Sequence, residues 1–446
     1  MKKKAVAALA ITICVTVLLS GISVTQFGAS EKPDHVFVGV TYGGDTVEGG
    51  KMLIDKVKGY TNLFALQSGL LQRDLDSVTE LGDYAVDAGM YFLPYFGNFV
   101  QASLGGWLET AKQRWGDHFL GVYHGDEPAG KMLDAYVTFD NSSTGDSITK
   151  TPYGDVVLQK ANGVVINYDL EGVIHLYEPI AHSDLNSEAA FYPDGTIQIV
   201  RAAPKGFSYH SYSELQSMKP FKNLDEAAEG FYNRDKSNID FLNNRTHVFT
   251  SDYALEWFDY KAGYDVVWAQ IGWNLTLAQQ IAPVRGAADM QNKSWGVVVT
   301  WKYQQPPYLA DKQELVNQMQ TAYKCGAKYI LLFNYYGTNS STYGTMEQQH
   351  FDAVQTIWEQ TVINPEQEWG SLKADSAVVL PYNYGYGGRW MDDHIWGIFK
   401  PDNQTRQIWN VMQQSLQEHG LRTDIVYDDE NYPLLDRYVN VYHADG

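Results

Sequence analysis

The sequence predicts an α/β protein built on a (β/α)8 TIM barrel, with a β-rich insertion after the fourth strand and a small flavodoxin-like α/β domain at the C-terminal end. Three observations carry that prediction. Short apolar runs rich in β-branched and aromatic residues alternate with segments of helical period, which marks βα units and a parallel sheet. Eight such runs fit between residues 31 and 364, the count a barrel needs. Past residue 365 a second set of runs begins, and it opens in the same alternating way.

The eight strands can be placed in order. The first is His35–Tyr42, followed by a helix near 49–58. Leu63–Gln67, Met90–Phe96 and Phe119–His124 are the second to fourth. The pattern then breaks. Residues from about 134 to 222 are rich in Gly, Ser, Asp and Thr and alternate like strands, and Tyr192–Thr196 reads as a hairpin turn. A helix over about 224–243 resumes the barrel. Strands five to eight are His247–Ser251, Asp265–Gln270, Trp295–Lys302 and Lys328–Asn334, with helices near 276–291, 311–324 and 346–361. In the C-terminal unit, 375–446, Ala377–Pro381, Asp424–Tyr427 and Tyr438–Tyr442 are strands. A helix over 401–419 starts near Asp402 and stops at Gly420. About 80 residues is short for a doubly wound domain, so this unit is small or truncated. No internal repeat stands out along the chain.

Composition bounds the function. Lys2, Lys3 and Lys4 precede an uncharged apolar run from Ala5 to about Val24, so residues 1–30 read as a Sec-type signal peptide or an uncleaved N-terminal anchor. Either places the protein outside the cell or on its surface, with membrane contact only through that anchor. Sequons at Asn141, Asn244, Asn274, Asn292, Asn339 and Asn403 fit an exported chain. Cys14 and Cys325 are the two cysteines, which excludes a disulfide framework and a thiolate metal cluster. A net charge of −20 argues against nucleic acid and anionic membrane as partners. Aromatic residues make up 14% of the chain, with 31 Tyr and 12 Trp: material for a large core, or for platforms that stack on sugar rings.

In a barrel of this kind the active site lies at the C-terminal ends of the strands. The polar residues there are Thr41, Asp45, Gln67, Tyr95, His124, Asp126, Glu127, Asp252, Gln270, Thr300, Lys302, Asn334 and Tyr336. Amides, aromatics and a few acids on one rim make a mouth suited to a carbohydrate. Strand alternation places His124 with Asp126, and Thr300 with Lys302, toward the barrel axis. Glycoside hydrolysis needs two carboxylates, one to protonate the leaving oxygen and one to attack or activate water. Glu127 is the expected acid, supported by Asp126, with Asp252 or Asp45 as the partner carboxylate. The plainer alternative makes Asp126 and Glu127 a helix cap and first-turn acid, and Asp252 the N-cap of a helix over 253–262. His124, Gln67, Tyr95, Gln270, Trp273, Thr300, Trp301, Lys302, Asn334 and Tyr336 complete the expected substrate-binding set. No metal is expected, since the helical H-E-x-x-H and Cys spacings are missing. Gly385-Tyr386-Gly387-Gly388 lacks the dinucleotide-binding pattern, and no cofactor is expected.

Asp126-Glu127 at the end of strand four resembles the acid/base position of clan A glycoside hydrolases. A barrel followed by an α/β domain is similar to family 42 β-galactosidase-like enzymes, and Gly263–Asn274 and Trp295–Tyr303 resemble archaeal exported proteins of this type. The resemblance implies a retaining nucleophile at the end of strand seven. Here that stretch is Thr300-Trp301-Lys302-Tyr303 and holds no carboxylate, and Lys302 is free to pair with Asp126 or Glu127. Two readings stand: an exported glycoside hydrolase acting on polysaccharide or surface glycan, and a non-catalytic barrel that binds glycan or belongs to a cell-surface assembly.

Overall fold

The alternating runs close into a barrel. The computed structural model describes residues 36–97, 104–141, 144–273, 275–337, 341–434 and 436–444, so the segment read as a signal or anchor lies outside it. Its first barrel strands are β1 (Phe37–Tyr42), β2 (Leu63–Leu66), β3 (Tyr91–Pro94) and β4 (Val122–Tyr123). An insertion of seven strands follows: β5 (Val137–Asn141), β6 (Asp146–Lys150), β7 (Val156–Gln159), β8 (Val165–Tyr168), β9 (Ile174–Pro179), β10 (Asn186–Phe191) and β11 (Ile197–Arg201). The barrel resumes with β12 (Val248–Asp252), β13 (Val266–Ile271), β14 (Ser294–Val299) and β15 (Tyr329–Leu332). All eight barrel strands are parallel, in the order β3-β2-β1-β15-β14-β13-β12-β4. Parallel bridges Phe92–Phe119 and Tyr95–Tyr123 draw the two ends of this sheet together.

Aromatic rings fill the barrel axis. Phe37 stacks on Tyr329 at 4.9 Å, Phe249 meets Tyr329 edge-on at 5.3 Å, and Trp268 packs on Tyr123 at 5.5 Å. Such pairs each add about 0.5–1.5 kcal/mol beyond their buried area. The neighbouring strand leaves no room for a side chain at Gly39, where a Cβ would sit 2.2 Å from the Leu63 carbonyl oxygen. The inward set runs Phe37, Leu63, Ala65, Leu93, Tyr123, Phe249, Trp268, Val298 and Leu331. It fixes the phase of every strand, and therefore which residues reach the mouth.

β4 is shorter than the expected Phe119–His124. Gly121, at φ +138°, approaches the His247 carbonyl so closely that a Cβ would lie 2.3 Å from its oxygen, and this kink limits the pairing to two residues. The expected helix over 224–243 is two helices, Leu224–Arg234 and Lys236–Asn243. They break at Asp235, whose carboxylate is drawn onto His124.

The insertion is one antiparallel meander with its own small core, including Ile166, Leu176 and Phe191. Contrary to the expectation of no repeat, its turns recur. Gly145, Gly154, Gly163 and Gly172 are nine residues apart and all have positive φ. The turns at 151–155, 160–164, 169–173 and 192–196 close with the same pair of backbone hydrogen bonds. Each needs a left-handed residue at its fourth position, which glycine supplies without steric cost.

The C-terminal unit is a three-stranded parallel sheet of β16 (Ser376–Leu380), β17 (Thr423–Tyr427) and β18 (Asn440–His443), with β16 central. Its helix, Asn403–His419, is capped by Asp402 as the sequence predicts. This sheet packs on the barrel helix Leu277–Met290. There Arg285 donates to Asp424 Oδ1 at 2.8 Å and to the carbonyls of Leu421 and Thr423 at 2.7 and 3.0 Å. Both charged side chains are almost fully enclosed. Arg285→Met strips the buried Asp424 of its cation and is expected to cost about 3–5 kcal/mol. Urea unfolding reads that loss, and pairing the change with Asp424→Asn should recover part of it.

Candidate active site

Glu127 is presented at the barrel mouth by a strained turn. It sits at φ 56°, ψ 49°, the left-handed region that a non-glycine residue enters at a cost of about 1–3 kcal/mol. Gly125 just before it also has positive φ, so strand alternation is lost after Tyr123 and both acids turn to the rim. Pro128 follows at the first position of the helix Pro128–Asp134, where no backbone donor is needed. The Glu127 amide donates to the Ser251 carbonyl at 2.9 Å, which pins the turn to β12.

The acid pair stands in a connected polar network. Tyr123 donates its hydroxyl to Asp126 Oδ1 at 2.6 Å and lies 2.7 Å from Ser251 Oγ. Gln67 Nε2 reaches Tyr123 Oη at 3.3 Å and Asp126 Oδ1 at 3.4 Å. Gln270 Nε2 donates to Ser251 Oγ at 3.1 Å. Lys131 Nζ lies 3.4 Å from Asp126 Oδ2 and 3.6 Å from Glu127 Oε2, so one ammonium sits against both carboxylates. Burial pushes the Glu127 carboxyl above the usual carboxylate range, and the charge of Asp126 adds to it; Lys131 and Gln270 pull the other way. A carboxyl that is partly exposed at a cleft and holds its proton more tightly than normal can protonate a leaving group.

The strand ends sort the remaining expected residues. Gln67, Tyr95, Gln270 and Thr300 share the inward phase, and Tyr95 packs edge-on against Tyr123 at 5.1 Å. Trp301 packs with Phe333 and Tyr335 to form an aromatic wall, and Trp273 is 46% exposed beside it, its amide reaching the Trp301 carbonyl at 3.4 Å. Other residues turn away from the mouth. His124 is fully enclosed on the outer face of β4, against Asp235, because the inward place on that strand belongs to Tyr123. Asn334 is enclosed, its backbone N–H donating to Thr41 Oγ1 at 3.0 Å and its side-chain Oδ1 accepting from the Thr345 hydroxyl. Tyr336 packs on Tyr42 outside the barrel, and the rim position is held by Tyr335. Lys302 pairs with Glu314 on the following helix, and the cation beside the acid pair is Lys131. Asp45 is exposed on the turn after β1, and its charge acts on the outward-facing Tyr42.

Asp252 is neither at the rim nor the cap of the helix that follows it. That helix starts at Glu256, and its N-cap residue, Leu255, supplies no side-chain bond. The Asp252 carboxylate instead accepts from the amides of Ala129 at 2.8 Å and Gly130 at 2.9 Å, capping the helix behind Glu127. Gly130 permits the approach, since a Cβ there would lie 2.5 Å from Asp252 Oδ1. Tyr123, Ser251 and Lys131 belong to the site and were not among the expected residues. No alternation in the sequence signals Tyr123: Phe119 packs outward on Trp107 and Trp115, Leu120 packs inward, and the phase resets at Gly121.

No protein-family model matches the chain, and no curated protein sequence matches it. Among solved structures it is similar to alpha-L-fucosidase isoenzyme 2 from Paenibacillus thiaminolyticus, at 8% identity and a TM-score of 0.41, covering 89% of this chain and 58% of that one. It is also similar to ScGas2 in complex with compound 11, at 10% identity and a TM-score of 0.33, covering 75% and 67%. A truncated 3-deoxy-D-arabino-heptulosonate 7-phosphate synthase from Thermotoga maritima is similar at 7% identity and a TM-score of 0.33, covering 74% and 86%. These likenesses assign no chemistry to this chain.

Behind the site lie three enclosed acids. Burial, reinforced by Glu127, pushes Asp252 up to about 7. Burial pushes Glu256 up to about 8, and Asp259 is raised by burial and by Asp252 and Glu256. Unfolding returns these groups to ordinary carboxylate values near 3.8 and 4.5. From about pH 4 to 8 the folded state therefore holds protons that the unfolded chain releases. Their contribution to stability is complete below about pH 4 and is lost as pH rises through 7 and 8. Glu256→Gln should remove one such proton and flatten the fall by about 1.4 kcal/mol per pH unit. Urea midpoints across pH 5–8 test this, and parallel curves for the two proteins would refute it.

Proposed function

We propose that this protein is an exported glycoside hydrolase acting on polysaccharide or surface glycan, with Glu127 as the proton donor. The observation that carries the reading is the held geometry of Glu127. It is strained into the mouth, partly exposed, raised in proton affinity, and flanked by a second carboxylate with its own hydrogen-bond donors. Trp273, Trp301 and Tyr335 supply faces for sugar stacking, and Gln67, Gln270 and Thr300 supply hydroxyl partners. The basic and apolar N-terminal segment supports action outside the cytoplasm. The order of a barrel and then an α/β unit supports the likeness to family 42-like enzymes as an architecture. One observation favours the rival reading of a glycan-binding barrel without hydrolysis. The end of β14 carries no carboxylate, and Lys302 there is engaged by Glu314.

Two variants separate the readings. Glu127→Gln should lower kcat/KM on a cleaved glycan by about 10²–10⁴-fold, the usual contribution of general acid catalysis, while leaving glycan binding intact. Equal glycan binding by both proteins with no hydrolysis by either would establish the rival. Lys131→Met should raise the Glu127 carboxyl further, because the ammonium now lowers it. A general acid works while protonated, so the alkaline limb of the pH–rate profile should move to higher pH in that variant.

A further inference from the structure

The site holds one usable acid and a neighbouring carboxylate on the same flank, and this arrangement restricts the sugar it can cleave. Displacement at the anomeric carbon needs a nucleophile or an activated water on the face opposite the leaving group. Among the described residues, none of the strand-end carboxylates is placed to serve. Asp252 is enclosed, and its oxygens are spent on the amides of Ala129, Gly130 and Tyr253. Asp45 stands on the exposed turn that faces Tyr42, outside the barrel. The end of β14 is Thr300-Trp301-Lys302. Asp126 is joined to Glu127 by one peptide bond, and Lys131 Nζ sits against both carboxylates, so the two acids share one flank. Asp126 Oδ1 already takes the Tyr123 hydroxyl and the Gln67 amide, which blunts it as a nucleophile toward carbon.

We infer that the nucleophile comes from the substrate, and that the substrates are β-linked 2-acetamido-2-deoxy sugars. This rests on the glycosidase reading of the same site and names its substrate class. In the first step the acetamido carbonyl oxygen bonds to C1 as the C1–O glycosidic bond breaks. The Glu127 proton passes to the leaving oxygen, and the acetamido N–H proton passes to Asp126, leaving a neutral oxazoline. In the second step water bonds to C1 and gives a proton to Glu127 while the oxazoline C1–O bond breaks. Asp126 returns its proton to nitrogen, and the acetamide is restored with retained configuration. The half-buried Tyr95, close enough to feel both Asp126 and Glu127, offers an apolar wall for the acetamide methyl.

The test is a rate comparison with the purified protein. It uses 4-methylumbelliferyl β-glycosides of 2-acetamido-2-deoxyglucose and 2-acetamido-2-deoxygalactose, their 2-hydroxy counterparts, and the 2-trifluoroacetamido analogues. Product configuration is followed by proton NMR. The expected result is cleavage of the acetamido sugars with retention, and rates lower by on the order of 10²-fold or more for the 2-hydroxy sugars, which lack the intramolecular nucleophile. The trifluoroacetamido analogues, with a poorer carbonyl nucleophile, should be about tenfold slower or worse. Comparable cleavage of the 2-hydroxy sugars, or inversion, overturns the inference and leaves hydrolysis standing. Cleavage of none of them overturns the inference, while hydrolysis itself is decided by glycan cleavage and binding in the protein and its Glu127→Gln variant.

Discussion

The seven-residue helix Pro128–Asp134 is the joint on which the site depends. A helix this short has no stability of its own, because nucleation is costly and most of its backbone groups are end groups. Four other segments satisfy it. Asp252 of β12 accepts from its first amides, and Arg234 donates to the Pro128 carbonyl. Lys150 of β6 is fully enclosed and donates to the carbonyls of Met132 and Leu133, each at 2.8 Å. Arg389, from the C-terminal unit, pairs with Asp134 and with Asp393. The insertion, the barrel and the trailing sheet thus all close on the turn that strains Glu127 into the mouth. Their contacts offset a backbone cost of about 1–3 kcal/mol that the turn could not bear alone.

Much of the barrel is legible in the sequence, because parallel strands buried on both faces read as near-continuous apolar runs. Elements that rest on local chemistry fall close to where they are expected, such as the helix capped by Asp402. What escapes is set by long-range contact. His124 looks like a rim residue because it is polar and near a strand end, yet it faces outward to meet Asp235, 111 positions along the chain. The break between the helices at Asp235 has the same origin. Lys302 looks like a partner for the acid pair, but a glutamate on the next helix claims it. Inward phase is recovered where apolar neighbours define it, as at Gln67, Tyr95, Gln270 and Thr300. It is lost on β4, where glycines at 121 and 125 interrupt the alternation.

The insertion shows a different kind of illegibility. Its hairpins recur every nine residues through Gly154, Gly163 and Gly172, and each glycine is followed two positions later by the β-branched residue that opens the next strand, Val156, Val165 or Ile174. A turn of this geometry dictates one residue, the glycine at positive φ, whereas a strand on a half-buried face accepts any alternation of apolar and polar side chains. The repeat is therefore carried by the spaced glycines and the β-branched residue that opens each strand. Lys150 appears in this stretch as one more polar strand residue. Its role shows only once β6 is seen to end beside the helix that presents Glu127.

Proton affinity by itself would have selected the wrong acid. Asp252 and Glu256 are raised at least as clearly as Glu127, since enclosure disfavours their charge more fully. Both are enclosed by protein, and a proton held there has no path to a bound sugar. Glu127 keeps a quarter of its side chain exposed, on the flank shared with Asp126. A carboxyl must be reluctant to ionise and still within reach of the leaving oxygen, and burial supplies the first only at the expense of the second. The turn at Glu127 meets both demands by placing the backbone, and not the carboxyl, under strain. That is why the acid is found at a left-handed residue ahead of a proline, and why a fully buried aspartate is placed behind it to hold the turn.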